Sequence, residues 1–235
     1  MELAVIARNY LSTLQTFARS VQTTDHEWAI GAGDSVLQWW LIPALGRSGL
    51  SPRWSLQNLR TDETVSRVVD ERLDFGLIRR DAVRESVGSA EIGSIKYAIV
   101  VPRRLQRGNL STKTALAELP HAAIGTDGQL TERLRKIASN LGGVFQARLK
   151  CDSLGRCLAA VRTGRYAAVL PTYILDEATS ASVEVVEAVL EELNRPMSLI
   201  WNPRTLEMLG QNAVDTRDAL IAALKAEDEE RRRES

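Results

Sequence analysis

The sequence predicts an α/β protein built on parallel strands. Strand-like and helix-like runs alternate from residue 27 onward, the connections between them are short and polar, and a strand, cap, helix unit recurs. With 235 residues, 44% of them apolar, the chain can form one large domain or two lobes of roughly 100 residues each. Lys plus Arg equals Asp plus Glu, for a formal net charge of zero. That balance excludes a protein that coats nucleic acid through a basic field of its own.

Glu2 to Gln22 sets Leu3, Ala7, Tyr10, Leu14, Phe17 and Val21 at alternating steps of four and three. The spacing suits a helix seam against a partner helix and an amphipathic helix packed on its own domain equally well. Thr23, Thr24 and Asp25 end it. Trp28 to Gly31 reads as the first strand, and Asp34 with Ser35 is placed to cap a helix through Leu37, Leu41 and Leu45, which Pro43 should bend or end. Trp54 to Leu59 alternates with period two, Thr61 is placed to cap the next helix, and Val65, Val68 and Val69 form that helix's apolar face. Phe75 to Ile78 is the third strand, and one long strand from Ile95 to Val101 ends at Pro102.

The Arg-rich connector from Pro102 to Ser111 is placed as a passage between lobes. A second alternating block follows: strand Ala122 to Gly125, helix Leu130 to Leu141, strand Val144 to Leu149, helix Leu154 to Arg162, and strand Tyr166 to Leu170 stopped by Pro171. Val183 to Val186 and Met197 to Trp201 are the last strands. Asn202 and Pro203 open a long final helix to about Leu224. Glu227 to Ser235 is charged without an apolar period and is expected to fray.

Signals for chemistry are few. His26 and His121 stand beside strand starts with no Cys, Asp or Glu at metal-ligand spacing, so both are expected to be strand-end or surface imidazoles. Gly31, Ala32, Gly33 resembles a dinucleotide turn only superficially, because Val36 stands where the third glycine belongs. Asp74 reads as strand-entry polarity, since no catalytic partner for it is visible. Trp39 and Trp40 are adjacent on a helix, where only one should face the core and the other marks an interface. Cys151 and Cys157 fit neither a CxxC motif nor a zinc pair and suit a reducing cytosol. Arg8, Asn9 and Gln15 interrupt any signal-peptide core, and no stretch reaches membrane-spanning length. The expectation is a cytoplasmic protein with no catalytic residues, no metal ligands and no cofactor.

Two stretches carry a resemblance. Arg72, Leu73, Asp74, Phe75, Gly76, Leu77, Ile78, Arg79 resembles the "LDxGI" strand in the effector-binding region of LysR-type transcriptional regulators. Val161, Arg162, Thr163, Gly164 through Val169, Leu170, Pro171 is similar to the same family's later "V-x-x-G-x-G-(I/V)-x-x-L-P" stretch. The order of elements also agrees, from about Glu2 to Leu224. The chain departs from the family in having Tyr166 for the second glycine of the later motif and Glu71 for the glycine before the "LD" pair.

The resemblance implies two Rossmann-like lobes of the type II periplasmic-binding-protein kind, preceded by an N-terminal helix. In residue numbers that is 1–24 as linker and dimerisation helix, 25–101 plus 199–226 as lobe I, 102–198 as lobe II, and 227–235 as a charged tail. It implies the effector-binding and dimerisation region of a LysR-type regulator, sensing a small, anionic organic ligand. The alternative is a small-molecule-binding protein or enzyme on the same bilobal fold. Ligands of open parallel sheets sit beyond the carboxyl ends of strands, which selects Asp34, Ser35, Thr61, Arg79 and Thr126. Against a ligand role, Ser35 and Thr61 would serve equally as helix caps, and Arg79 as the partner of Asp81. The implied partners are a small-molecule effector and further copies of the chain, as homodimer or homotetramer. DNA would be reached only through a helix-turn-helix domain, which is missing from this chain, and no membrane is involved.

Overall fold

The computed structural model describes residues 26–50, 52–106, 110–125, 129–175, 183–187 and 190–234. The expected N-terminal helix, residues 1–24, and Thr126 lie outside the described residues. The described residues divide into two compact units, one drawn from the residues between 26 and Gly93 together with Pro196–Glu234, the other from Ser94–Arg195.

The first unit is a five-stranded sheet in the order β2-β1-β3-β10-β4. Strands β1 (Glu27–Ala32), β2 (Arg53–Asn58) and β3 (Phe75–Arg79) run parallel, and β10 (Arg195–Trp201) returns antiparallel to β3. The sheet is therefore mixed, with β4 (Gly88–Ile95) on its edge. Phe75, Gly76, Leu77 and Ile78 are all buried, as an unbroken apolar run on a strand covered on both faces requires. Gly31 and Gly76 are register partners on β1 and β3. A Cβ on Gly76 would meet Thr64 Cγ2 at 2.6 Å, and one on Gly31 would meet Leu73 Cδ1 at 2.6 Å. The paired glycines thus form a notch into which α2 (Thr61–Val69) settles, with Val65 and Val68 in the core beneath it.

The helix after β1, α1, begins at Asp34–Val36, widens into a π turn over Leu37–Leu41 and resumes as Ile42–Ser48. Pro43 explains the widening: it has no N–H to give, and the Ile42 N–H reaches back five residues to the Leu37 carbonyl. Trp39 and Trp40 are both buried, at 5% and 2% exposure, which corrects the expectation that one would face solvent. In a regular helix neighbours diverge by about 100°, but the π turn broadens the buried face. The final helix α7 (Gln211–Glu234) covers what remains, with the Trp40 indole N–H donating to the Leu224 carbonyl at 3.1 Å.

Helix α7 continues to Glu234 rather than fraying after Leu224. Glu227 explains the extension: it is 2% exposed and forms ion pairs with Arg47 of α1 and, at 2.6 Å, with Arg231 Nε one turn on. The expected single final helix is divided, because α6 (Pro203–Leu209) stops at Gly210, whose φ of 76° breaks the helix before α7 begins.

In the second unit β5 (Tyr97–Pro102) lies between β8 (Ala168–Pro171) and β9 (Val183–Glu187), antiparallel to both. Strands β6 (His121–Ile124) and β7 (Ala147–Cys151) pair in parallel, and a His121–Ala167 bridge joins them to the segment leading into β8. Helices α3 (Thr112–Glu118), α4 (Gln129–Asn140) and α5 (Leu154–Arg162) complete the unit. The long strand expected from Ile95 to Val101 is broken at Lys96, so that β4 and β5 serve different sheets. The strand expected at Val144–Leu149 starts later, at Ala147, because Phe145 is drawn into the core against the His121 ring, 4.8 Å away.

Candidate functional site

Parallel strands bring their carboxyl ends to one edge of the sheet. Ala32 lies in register with both Asn58 and Leu77, and the Leu59 N–H extends the ladder to the Ala32 carbonyl at 2.9 Å. Beyond those three residues come Asp34 and Ser35 after β1, Arg60 and Thr61 after β2, and Arg79 at the end of β3. The structure thus brings four of the five expected residues, Asp34, Ser35, Thr61 and Arg79, to the same edge.

Asp34 is exposed, whereas Ser35 and Thr61 are half-buried. The N-cap positions are Gly33 and Arg60, and neither cap is made by a side chain. Ser35 and Thr61 therefore stand within the first turns of their helices and do not cap them. The Arg79 side chain keeps 21% of its surface exposed, and its Nη1 lies 3.3 Å from a carboxylate oxygen of the exposed Asp81. Asp81 is the exposed partner, and water screens so long a pair, which therefore contributes little. Arg60 adds a second guanidinium at this edge, one that strand-end reasoning passed over by settling on Thr61. Its place directly after the last ladder residue of β2 was the available signal. Guanidinium, hydroxyls and helix-start N–H groups together can hold a carboxylate.

The polar groups deeper in the sheet are structural. Asp74 is buried, accepts the Ala29 N–H at 2.8 Å through Oδ2, and has Oδ1 3.3 Å from His26 Nε2. His26 is the partner that the sequence did not reveal, and it tethers the start of β1. His121 is buried too: its Nε2 lies 2.8 Å from the Ala115 carbonyl, and burial lowers its pKa to about 4. It is neutral at physiological pH. Among the described residues no group of three or more His, Cys, Asp or Glu side chains is placed to hold a metal, and no helix is long and apolar enough to cross a membrane.

The family model of the LysR substrate binding domain matches residues 22–215. The chain belongs to that family. Its fold is of the type II periplasmic-binding-protein-like kind. Among solved structures it is similar to CbnR, a LysR family transcriptional regulator, at 13% identity over 97% of this chain and 80% of that one, with a TM-score of 0.66. It is also similar to OxyR of Corynebacterium glutamicum, at 13% identity, 98% and 74% coverage and a TM-score of 0.67. The reduced regulatory domain of OxyR2 from Vibrio vulnificus matches at 15% identity, 86% and 96% coverage and a TM-score of 0.65. No curated protein matches the chain with significance by sequence.

The "LDxGI" residues of this LysR domain can now be given physical roles. Asp74 clamps β3 to β1, and Gly76 admits the Thr64 methyl group. Glu71, two residues before the motif's Leu73–Asp74 pair, adopts φ 57°, the left-handed conformation that ends α2. There the Arg72 N–H donates to the Arg67 carbonyl at 2.7 Å and the Glu71 N–H to the Val68 carbonyl at 3.2 Å. In the later motif Gly164 plays the corresponding part after α5, with φ 74°.

Proposed function

We propose that this LysR domain is the effector-sensing region of a transcriptional regulator and binds a small organic anion at the carboxyl edge of β1, β2 and β3. Arg79 is the charge partner; Ser35 and Thr61 contribute hydroxyls, with Asp34 at the rim. The observation that carries the reading is the parallel register that delivers Ser35, Thr61 and Arg79 to one edge. The domain acts by binding, not catalysis, in the cytoplasm. It works as a homodimer or homotetramer, and DNA is read by a helix-turn-helix domain outside this chain.

A thermal-shift screen of mono- and dicarboxylates on wild type and Arg79→Ala tests the ligand class. A subset of compounds should raise the wild-type Tm and leave Arg79→Ala unmoved. Equal shifts in both proteins would remove Arg79 from the site, and an Arg79→Ala Tm far below wild type without ligand would make the residue structural. Sedimentation at micromolar concentration tests self-association, and a strictly monomeric chain would contradict it.

A further inference from the structure

The chain's charges balance overall but divide unevenly. Ser94–Arg195, the second unit, carries 14 Lys and Arg against 10 Asp and Glu. Two of its stretches hold no acidic residue at all: Ser94 to Ala117, with five Lys and Arg, and Ser153 to Leu175, with three. The fold brings these stretches together. β5 and β8 pair antiparallel with Val100 opposite Ala168, so the residues that leave β5 run beside those that enter β8. Arg103 and Arg104 follow β5; Arg162 ends α5, and Gly164 and Arg165 lead on towards β8. The two stretches touch at Gly164, where a Cβ would stand 2.7 Å from Arg104 Cδ, so the Arg104 stem lies in the space that a side chain there would fill. Arg103, Arg104, Arg162 and Arg165 are all exposed. Among the described residues, none of Arg103, Arg104 and Arg165 pairs with a carboxylate.

We propose that this arginine surface, Arg103, Arg104, Arg162 and Arg165, grips the phosphate backbone of duplex DNA. Guanidinium groups crowded at one turn repel one another until anions neutralise them, and their planar forks match phosphate oxygens two at a time. A duplex offers anions of one sign only, about one per 1.7 Å of its axis, which suits a patch of one sign. A protein surface mixes both signs and would call for acids to answer its cations, and the two stretches that build this patch have none. Contacts of this kind position a duplex and carry no sequence information, so base reading stays with a helix-turn-helix domain. A net charge of zero removes a long-range basic field and leaves a local contact intact, because salt screens charges further off than about 10 Å. No residue of the patch belongs to the proposed effector edge, so either site can fail without the other.

Fluorescence anisotropy of labelled duplexes, titrated with the full chain from about 20 to about 200 mM salt, tests the contact. Two duplexes of unrelated sequence should bind equally, and log K should fall with log salt at a slope of about −3 to −4, or about −0.9 for each arginine engaged. Arg103→Gln/Arg104→Gln/Arg165→Gln should weaken binding at least about tenfold at the lowest salt and cut the slope to about −1. As a control, Arg80→Gln/Arg84→Gln/Arg204→Gln removes the same charge from exposed positions of the first unit and should bind like wild type. Equal losses in the two triple variants would assign the binding to net charge and overturn the proposal. So would undetectable binding at the lowest salt, and so would polyglutamate binding as tight as DNA, which would point to an acidic protein instead. Should the first triple variant fold poorly, Arg103→Gln/Arg165→Gln keeps Arg104 against Gly164 and decides the question, with a slope of about −2 expected and the wild-type slope contradicting the contact.

Discussion

Asp74 and Ala29 bind each other twice: the Asp74 N–H donates to the Ala29 carbonyl at 3.0 Å, and the Asp74 carboxylate accepts the Ala29 N–H at 2.8 Å. This reciprocal clamp joins the entry of β3 to the middle of β1, and His26 shares the carboxylate from the start of β1. Asp74→Ala should leave the Ala29 N–H buried without this acceptor and lower the unfolding free energy by about 2 kcal/mol. Urea denaturation reads the change as a lower midpoint at unchanged slope. A midpoint equal to wild type would show that the clamp contributes nothing net.

Glu71 occupies a conformation that an L side chain adopts at a cost of about 1 kcal/mol. Glu71→Gly should relieve it and raise stability by about 0.5 kcal/mol, after allowance for the freedom that glycine gains in the unfolded chain. Glu71→Ala should bring no such gain. Thermal unfolding of the two variants side by side separates backbone strain from any effect of removing the carboxylate.

His121 links stability to pH. Its pKa is lowered to about 4 by burial, opposed in part by the Ala115 carbonyl, whereas an unfolded imidazole titrates near 6.5. Between those values the unfolded chain binds more protons than the folded one, so stability falls as pH drops from 6.5 towards 4 and this contribution levels off below. The full loss from this one group is about 3 kcal/mol. In His121→Gln that part of the slope should vanish, and chemical denaturation at a series of pH values measures it. An unchanged slope would assign the acid sensitivity to other groups.

Glu227 holds the end of α7 against α1. Glu227→Ala leaves Arg47 and Arg231 without their buried partner and should cost about 1 to 3 kcal/mol. Hydrogen exchange should accelerate first in residues 227–234. Protection there equal to wild type would mean that the helix end holds without the ion pairs.

Local patterns made much of the first unit legible. The apolar run Phe75 to Ile78 announced a strand, and the residues after each parallel strand marked the edge where Ser35, Thr61 and Arg79 meet. The tryptophan pair was misread because its burial depends on a π turn and on a helix whose Leu224 lies 184 residues further along the chain. The last turns of α7 looked unstructured because one buried carboxylate, and not an apolar stripe, holds them. The His26–Asp74 contact was hidden for a similar reason, since it exists only once β1 and β3 are aligned.

The central claim is that Arg79 anchors a carboxylate ligand, and calorimetric titration of the best carboxylate from the thermal-shift screen tests it most directly. Arg80→Ala serves as the control, since Arg80 is exposed and pairs with Glu91 at 2.8 Å. Removing a charge-assisted pair costs about 1.5 to 3 kcal/mol, so Arg79→Ala should raise Kd by about ten- to a hundredfold while Arg80→Ala stays near wild type. Equal Kd values for wild type and Arg79→Ala would contradict the account.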